Sequence, residues 1–329
     1  VVNNKLGKAL DILSDMMFNS KFEEEEIERE KGVIIEELNM YRDNPRLYIE
    51  DVFEECLYGD TPAGWDTIGT KKNILKFKRK DFIKYFQAQY GTRSVYLVVA
   101  GAIKPSDKKM IHNLFSGFKS HKFQEQKPLL EKQKQPQLKI IPKKTDQLTL
   151  SLGVRTFSIN HPDEFKLKLL SVILGGSMSS RLFINLRERQ GLAYFVRTGV
   201  EFYKNSGYLA TQAGVPKDKI TLAIKIILAE YKKLTKELVS PQELKRAKDI
   251  LQGRMVLQME ASDNLALWYA QQAIWRHKFL TPADTIKKIK KIKATDIRAL
   301  AKKIFINKGL NLAIIGLTDK QTIKKILKF

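Results

Sequence analysis

The chain has 329 residues, of which 43% are hydrophobic, and a formal net charge of +23. A chain of this length can bury two cores of ordinary size, so two domains are expected. Its single cysteine, Cys56, excludes a framework of internal disulfides and fits a reducing compartment, and no apolar stretch reaches the length that spans a membrane.

The positive charge suggests acidic partners, of which nucleic acid is the first to consider. The lysines, however, are dispersed along amphipathic segments such as KKIKKIKATDIRALAKKIF, and they are not gathered with aromatic side chains into a surface on which bases could stack. No zinc-finger, nucleotide-loop or RNA-binding motif accompanies them. We therefore expect no nucleic-acid partner and interpret the charge as a lysine-rich surface.

Helices dominate the first part of the chain, where apolar residues recur at helical spacing. The acids of FEEEEIERE stand at the start of one helix, where its dipole favours them. The predicted helices cover residues 1–20, 27–44, 47–58, 78–90 and 105–118. A loop rich in Gly, Thr and Pro is predicted at 59–70, and a buried strand at 94–103, where β-branched residues are concentrated.

These elements form a predicted first domain, 1–118, which a linker at 119–145 separates from a second domain at 146–329. The linker is rich in Lys, Gln and Pro and holds little that could pack. Strands of the second domain are predicted at 147–157, within 177–202, at 206–215 and at 309–317. Its helices are predicted from His161 to Gly176, after the capping box Ser240-Pro241-Gln242-Glu243 and after Thr281-Pro282.

The two halves carry an internal repeat. The segment from Asp81 matches the segment from Asp296, an offset of 215 (296 minus 81), and EEIEREKGVIIEEL matches QELKRAKDILQGRM at an offset of 217 (242 minus 25). So long a period indicates a duplicated domain. Glu37 is matched in the second half by Arg254, which follows the end of the linker by 109 positions (254 minus 145). Glu37 itself follows Val1 by only 36 positions (37 minus 1). We therefore expect roughly 70 further residues, with the first strands of the first domain, to precede Val1.

Two glutamates of the second predicted helix, Glu30 and Glu37, need an explanation. On a wheel at ~100° per residue they lie two turns apart on one face, inside the apolar stripe that includes Leu38. Carboxylates on the core-facing side are costly unless a cation meets them, and a metal ion would satisfy both. In the repeat they align with Ala247 and Arg254, so the fold does not require acids there. The alternative is a solvated helix edge with ordinary surface charges.

Three segments together resemble the pitrilysin/insulinase family of zinc metallopeptidases, of the processing-peptidase type. They are EREKGVIIEELNMYRDNP and LYGDTPAGWDTIGT in the first half and LGGSMSSRLFINLRERQGLAY in the second. The resemblance covers essentially the whole chain. It implies an α+β fold of two homologous domains, each a mostly antiparallel β-sheet packed against helices.

The resemblance also implies a Zn²⁺ site and roles for four residues. Glu37 matches the third zinc ligand, and Glu30 matches a glutamate that supports the ligands. Arg187 and Tyr194 match a pair that reaches the bound peptide and the scissile carbonyl, where hydrogen-bond donors meet developing negative charge. The alternative for this pair is structural, with Tyr194 as a core aromatic residue at a helix end.

The sequence departs from the family at the zinc-binding helix. The family carries an H-x-x-E-H motif upstream of its third ligand, and no such motif occurs in this chain. His112, His121, His161 and His277 stand singly, and His161 precedes a proline at a helix start, where a cap or surface role is expected. Because the motif is expected to precede Val1, the chain as given is predicted to be inactive and to bind zinc poorly.

The predicted function is a zinc-dependent endopeptidase that cleaves peptides or unfolded segments, with two halves closing around a substrate whose backbone joins a sheet edge. The alternative is a non-catalytic partner or core subunit of the same fold. The expected assembly is a homodimer or a paired subunit. The expected location is the cytoplasm, with the mitochondrial matrix and export as alternatives.

Overall fold

A computed structural model describes residues 1–117, 128–130, 132–276 and 279–329 of the chain. These residues form α-helices and one five-stranded sheet, and they group into two compact units. Unit 1 comprises Val1–Leu38, Thr70–Lys127 and Val256–Leu280; unit 2 comprises Asn39–Gly69, Pro128–Met255 and Thr281–Phe329. Along the described ranges, no helix combines the length and the apolar character needed to cross a bilayer.

Proline and capping side chains start many of the helices. Pro45, Pro105 and Pro282 stand at the first helical position, where a missing N–H costs nothing. Thr281 accepts a hydrogen bond from the backbone N–H of Asp284 at 3.1 Å, so the predicted start of that helix is confirmed. The helices are α1 Leu6–Phe18, α2 Glu24–Asp43, α3 Pro45–Tyr58, α4 Lys71–Lys76, α5 Arg79–Gln89, α6 Pro105–Phe115, α7 Glu164–Gly175, α8 Ile220–Lys236, α9 Pro241–Gln258, α10 Ser262–Trp275, α11 Pro282–Lys290, α12 Ala294–Ile304 and α13 Lys320–Ile326.

The helix starts repeat at the offsets found in the sequence. The starts of α2 and α9 differ by an offset of 217 (241 minus 24), and so do those of α3 and α10 (262 minus 45). The starts of α5 and α12 differ by an offset of 215 (294 minus 79), and so do those of α6 and α13 (320 minus 105). The compact units interleave along the chain, with α3 in unit 2 and α10 in unit 1. The predicted domains are continuous, and their boundaries at 118 and 146 stay a prediction about the duplicated halves.

The five strands of the described ranges belong to unit 2. They are β1 Gln137–Ile141, β2 Gln147–Thr156, β3 Phe195–Phe202, β4 Gly207–Pro216 and β5 Leu310–Ile315. The sheet order is β1-β5-β2-β4-β3, with β1 parallel to β5 and the other pairs antiparallel. Strand β3 is therefore an edge strand, and the central β2 pairs on both sides, with Leu152 opposite Leu312 of β5 and opposite Thr211 of β4.

Helices cover both faces of this sheet. On one face, Phe53 of α3 packs edge-on against Tyr208 of β4, with ring centroids 5.3 Å apart. Side chains alternate along a strand, so Thr211 of β4 points to the other face, where its hydroxyl lies 2.7 Å from the hydroxyl of Tyr231 on α8. Burial from both sides explains why β2 is buried along most of its length, without the solvent-facing alternation of a half-exposed strand.

The predicted mixed class of helix and sheet is confirmed, but single elements differ. Residues 95–100 form no strand, because a strand needs a hydrogen-bonded neighbour and this segment has none among the described residues. Strand β1 lies inside the predicted linker, where its apolar residues pair with β5. Helix α8 has no counterpart among the predicted elements.

Candidate functional site

Helix α2 carries the predicted metal-site glutamates. Three glutamates stand in its first turn, where the helix dipole favours them, and Arg29 pairs with one of them, Glu26, at 2.7 Å. Its buried residues are Lys31 and Leu38. The buried Lys31 and Leu38 therefore mark the side of the helix that packs.

Glu30 and Glu37 are both exposed, so the prediction that they face the core is wrong for the described residues. Leu38 and the stem of Lys31 take the core-facing line instead, and the ammonium group of Lys31 pairs with Glu28 at 2.6 Å. A buried lysine stem is not visible on a wheel that treats every lysine as polar. The alternative of a solvated helix edge describes where the two glutamates lie, while their roles stay predictions.

The residues of the structure do not complete a zinc site. Zinc in proteins takes three or four protein ligands. Within the ranges given above, no three His, Cys, Asp or Glu side chains come together so that they could hold a metal ion. Glu37 is therefore a single candidate ligand, and the donor set present does not fit zinc on its own.

The histidines do not add to a metal site. Nδ1 of His161 accepts a hydrogen bond from the backbone N–H of Asp163 at 3.0 Å, and its ring stacks on Phe157 at 3.8 Å. His161 therefore lies at the start of α7, as expected, where it contacts the turn that leads into the helix, and its role there stays a prediction. His112 is exposed on α6. His121 and His277 lie outside the described residues.

The segment between α7 and β3 presents Arg187 and Tyr194. Residues Phe183–Arg189 form a π-helical turn. Gly191 ends it with a φ of +59°, a left-handed value that suits glycine, and its N–H donates to the carbonyl of Arg187 at 3.1 Å. The turn thus places Arg187 near its end and leads directly into the edge strand.

Both side chains of this pair are exposed. Tyr194 is 67% exposed, so the alternative of a core aromatic residue is wrong, and its backbone N–H donates to the carbonyl of Gly214 at 3.0 Å. The guanidinium of Arg187 lies 5.2 Å from the centroid of the Phe183 ring. Unit 2 therefore presents two exposed hydrogen-bond donors in the segment before β3.

A partly buried ionic network, which was not predicted from the sequence, holds this segment. Arg181 donates from Nε and Nη2 to the two carboxylate oxygens of Glu243 on α9, at 2.7 and 2.8 Å, and this pairing raises the pKa of Arg181. Asn185 donates to Glu230 on α8 at 2.8 Å, and so does Lys233. A signal exists in the sequence, because Arg181 and Asn185 are one helical turn apart and Glu230 interrupts an apolar helix face.

Carboxylates on α3 form a second group in unit 2. Burial, together with the neighbouring carboxylate of Asp66, raises the pKa of Asp51 to about 6. Burial also raises the pKa of Glu54, which accepts a hydrogen bond from the hydroxyl of Tyr203. These groups lie on α3 and not on the segment of Arg187 and Tyr194, so we expect them to affect stability.

Comparison with known proteins identifies the family. The family model described as "Insulinase (Peptidase family M16)" matches residues 1–71, and the family model described as "Peptidase M16 inactive domain" matches residues 76–251. An uncharacterized zinc protease of Rickettsia felis is 34% identical over 324 residues, which are 97% of this chain and 77% of that relative. The chain belongs to peptidase family M16. A further relative, the uncharacterized zinc protease YmxG of Bacillus subtilis, is 29% identical over 93% of this chain and 74% of its own length.

Solved structures share the fold of this M16 chain. A protease from Helicobacter pylori superposes with a TM-score of 0.87 at 21% identity, covering 96% of this chain and 77% of that one. A chain of complex III2 from Candida albicans superposes with a TM-score of 0.85 at 14% identity, covering 100% and 82%. At these identities the likeness concerns the fold alone. The family predicted from the three sequence segments is confirmed.

Proposed function

We propose that this M16 protein is a zinc-dependent endopeptidase that acts on peptides or unfolded protein segments. The observation that carries the proposal is the pair of exposed donors, Arg187 in the π-helical turn and Tyr194 directly before the edge strand β3. The names of two relatives, both called zinc proteases, support it. The cytoplasmic location and the assembly as a homodimer or paired subunit remain part of the proposal.

The residues of this chain would bind and orient the substrate. A peptide laid along β3 would gain backbone hydrogen bonds as an added strand. Arg187 and Tyr194 would then donate hydrogen bonds to peptide carbonyls, and a tyrosine hydroxyl suits an oxygen on which negative charge develops. Glu37 is the proposed zinc ligand and Glu30 its proposed support. Further ligands would have to come from outside the described residues, so we assign no reaction step to the metal.

The test is cleavage of fluorescein-labelled β-casein, a disordered substrate, by the full-length protein supplied with Zn²⁺. Here the full-length protein means this chain together with any residues that its gene encodes before Val1. We expect cleavage by the wild type, and a loss of about 10²-fold in kcat for Tyr194→Phe, because a donor to the developing oxyanion is removed. Arg187→Ala is expected to raise KM through weaker binding. Tyr85→Phe, at a tyrosine 64% exposed on α5, is the matched control and should change neither constant. Absence of cleavage, or a Tyr194→Phe variant as active as Tyr85→Phe, would overturn the proposal.

The second candidate is a non-catalytic partner or core subunit of the same fold. It is favoured by the description "inactive domain" for residues 76–251 and by the fold shared with a chain of complex III2. The casein assay separates the two candidates, because a non-catalytic subunit would bind casein without cleaving it. Light scattering on the same preparation would show whether the protein is a homodimer or pairs with another subunit.

A further inference from the structure

The π-helical turn that presents Arg187 is attached to a buried carboxylate. Glu230 on α8 is 3% exposed, and most other buried residues of that helix are apolar. One of its oxygens, Oε1, accepts hydrogen bonds from Nδ2 of Asn185 and from Nζ of Lys233, both at 2.8 Å. Nη1 of Arg181 lies 3.9 Å from the other oxygen. A carboxylate at this depth needs such partners, because an unpaired buried charge is costly.

These contacts hold one side of the turn, and Arg187 lies on the other. Asn185 is half-buried against α8, and Leu182 and Leu186 are fully buried, whereas Arg187 is exposed. The side that faces α8 and α9 and the side that faces solvent belong to one short turn. Whatever fixes the rotation of the turn therefore also fixes the direction in which Arg187 extends.

A carboxylate that accepts hydrogen bonds fixes the orientation of the turn in a way that an apolar side chain in its place would not. Replacing a buried ion pair with apolar side chains of similar size often leaves a protein equally stable, so stability alone does not explain Glu230. Hydrogen bonds have a required direction as well as a distance, and they select one rotation and register of the turn. π-helical turns are rare in proteins, and those that occur are often found at functional sites, where a fixed orientation of side chains matters most.

We propose that Glu230 is a positioning residue, which sets the register of the turn 183–189 through its hydrogen bond from Asn185 and so places Arg187 for contact with the peptide. The peptide contact in this inference rests on the proposed function. The attachment of the turn to Glu230 rests on the distances given above.

The test compares two variants that each remove one hydrogen bond to the same oxygen of Glu230. Asn185→Leu removes the bond from the turn, and Lys233→Met removes the bond from α8 itself. Because Nη1 of Arg189 also donates to Oδ1 of Asn185 at 3.3 Å, Arg189→Met, which removes that bond alone, is the control for its loss. In the full-length protein, hydrogen–deuterium exchange of the amides at 183–194 should become faster in Asn185→Leu and stay unchanged in Lys233→Met. With zinc removed by EDTA, the Kd for fluorescein-labelled β-casein should rise on the order of tenfold in Asn185→Leu only.

A double variant shows whether the effect passes through Arg187, and Glu230→Gln shows whether the turn needs the oxygen of Glu230 or its charge. When Arg187→Ala is already present, Asn185→Leu should weaken casein binding no further, because the residue that it positions is gone. Glu230→Gln keeps the size of the side chain and an oxygen that accepts from Asn185, so it should retain wild-type exchange at 183–194. If Asn185→Leu fails to fold, Asn185→Ala makes the same comparison.

Each outcome decides one step. Unchanged exchange at 183–194 in Asn185→Leu would overturn the attachment of the turn. Faster exchange with an unchanged Kd, in a protein whose binding is weakened by Arg187→Ala, would overturn the positioning role. If Arg187→Ala itself leaves the Kd unchanged, the proposed contact of Arg187 with the peptide fails and the positioning role fails with it, while the casein cleavage assay still decides the proposed function and the exchange data still decide whether Glu230 holds the turn.

Discussion

Helices α3 and α10 occupy the same place in the internal repeat and differ in what covers them. They have the same length, and their starts differ by the repeat offset of 217 (262 minus 45). Helix α3 packs on the sheet of unit 2 and buries Ile49, Val52, Phe53, Leu57 and Tyr58. Helix α10 belongs to unit 1, where, among described residues, it buries only Gln272 and leaves Leu267, Ile274 and Trp275 exposed.

The difference shows that a helix encodes an apolar face but not its burial. Leu57 and Ile274 hold equivalent positions (274 minus 57 is 217), yet Leu57 is 4% exposed and Ile274 is 50% exposed. Residues 95–100 and strand β5 differ in the same way at the offset of 215 (310 minus 95). Within the described ranges, β5 has a paired strand on each side, whereas residues 95–100 have none. In both pairs a long-range partner, and not the local pattern, decides the outcome.

The largest expected effect comes from exchanging residues between α2 and α9, the helices that precede this pair. Ala247, which is 3% exposed, matches the exposed Glu30 (247 minus 30 is 217). Ala247→Glu should lower the free energy of unfolding by about 3–5 kcal/mol, because it buries a charge without a partner. Glu30→Ala should change it by less than about 0.5 kcal/mol. Urea unfolding followed by circular dichroism measures both, and equal losses would contradict the comparison.

The second prediction tests α3 against α10 directly. Leu57→Ala should cost about 2–5 kcal/mol, because it opens a cavity between α3 and the sheet. Ile274→Ala removes a side chain of similar size from an exposed position and should cost about 0.5 kcal/mol. Urea unfolding of the two variants side by side is the measurement. A loss at Ile274 that matches the loss at Leu57 would mean that something covers α10 as the sheet covers α3.

Much of the fold could be predicted because its signals are local. Pro45, Pro105 and Thr281 mark helix starts through backbone chemistry that needs no distant partner. Strand β1 could not be predicted, because a short segment in a lysine-rich stretch becomes a strand only by pairing with β5, which lies far along the chain (311 minus 137 is 174). Helix α8 went unpredicted although its amphipathic pattern is strong.

The candidate site was predictable in part. The exposed placement of Arg187 fits the role that the family resemblance implied, whereas the exposure of Glu30 and Glu37 contradicts their predicted place on the core-facing side. The wheel failed because it could not know that Lys31 buries its stem. Glu230 was missed because α8 itself was not predicted. Its place on an apolar helix face signals that the carboxylate is buried, but it does not identify the partners that meet it from other elements.

The third prediction concerns pH and again contrasts α3 with α10, since Asp51 stands where α10 has Trp268 (268 minus 51 is 217). Burial and the nearby Asp66 raise the pKa of folded Asp51 from 3.8 to about 6. The folded state therefore holds this proton more tightly than the unfolded state, so stability should fall as the pH rises from about 4 to about 6. Because Asp51 is partly exposed, we expect a change of about 1 kcal/mol.

Asp51→Asn tests this pH dependence. The variant should be more stable than the wild type at pH 7 by about 1 kcal/mol, and the gain should shrink as the pH approaches 4. Asp11→Asn, at an exposed position on α1, is the matched control for the loss of one carboxylate. Unfolding free energies measured at several pH values give the result. A gain that is the same at every pH would contradict the assignment to Asp51.

The smallest expected effect separates structure from chemistry at one repeat position, which holds Glu37 in α2 and Arg254 in α9 (254 minus 37 is 217). Arg254 donates to the carbonyl of Gly176, just after α7, at 2.7 Å, so Arg254→Leu should cost about 0.5–1 kcal/mol. Glu37→Gln should leave the free energy of unfolding of the metal-free protein within about 0.5 kcal/mol of the wild type.

If Glu37 is a zinc ligand, calorimetric titration of the full-length protein with Zn²⁺ should show weaker binding in Glu37→Gln and not in Arg254→Leu. A Glu37→Gln variant that loses stability and keeps zinc affinity would give the two positions the same structural role and remove the reason for an acid in α2.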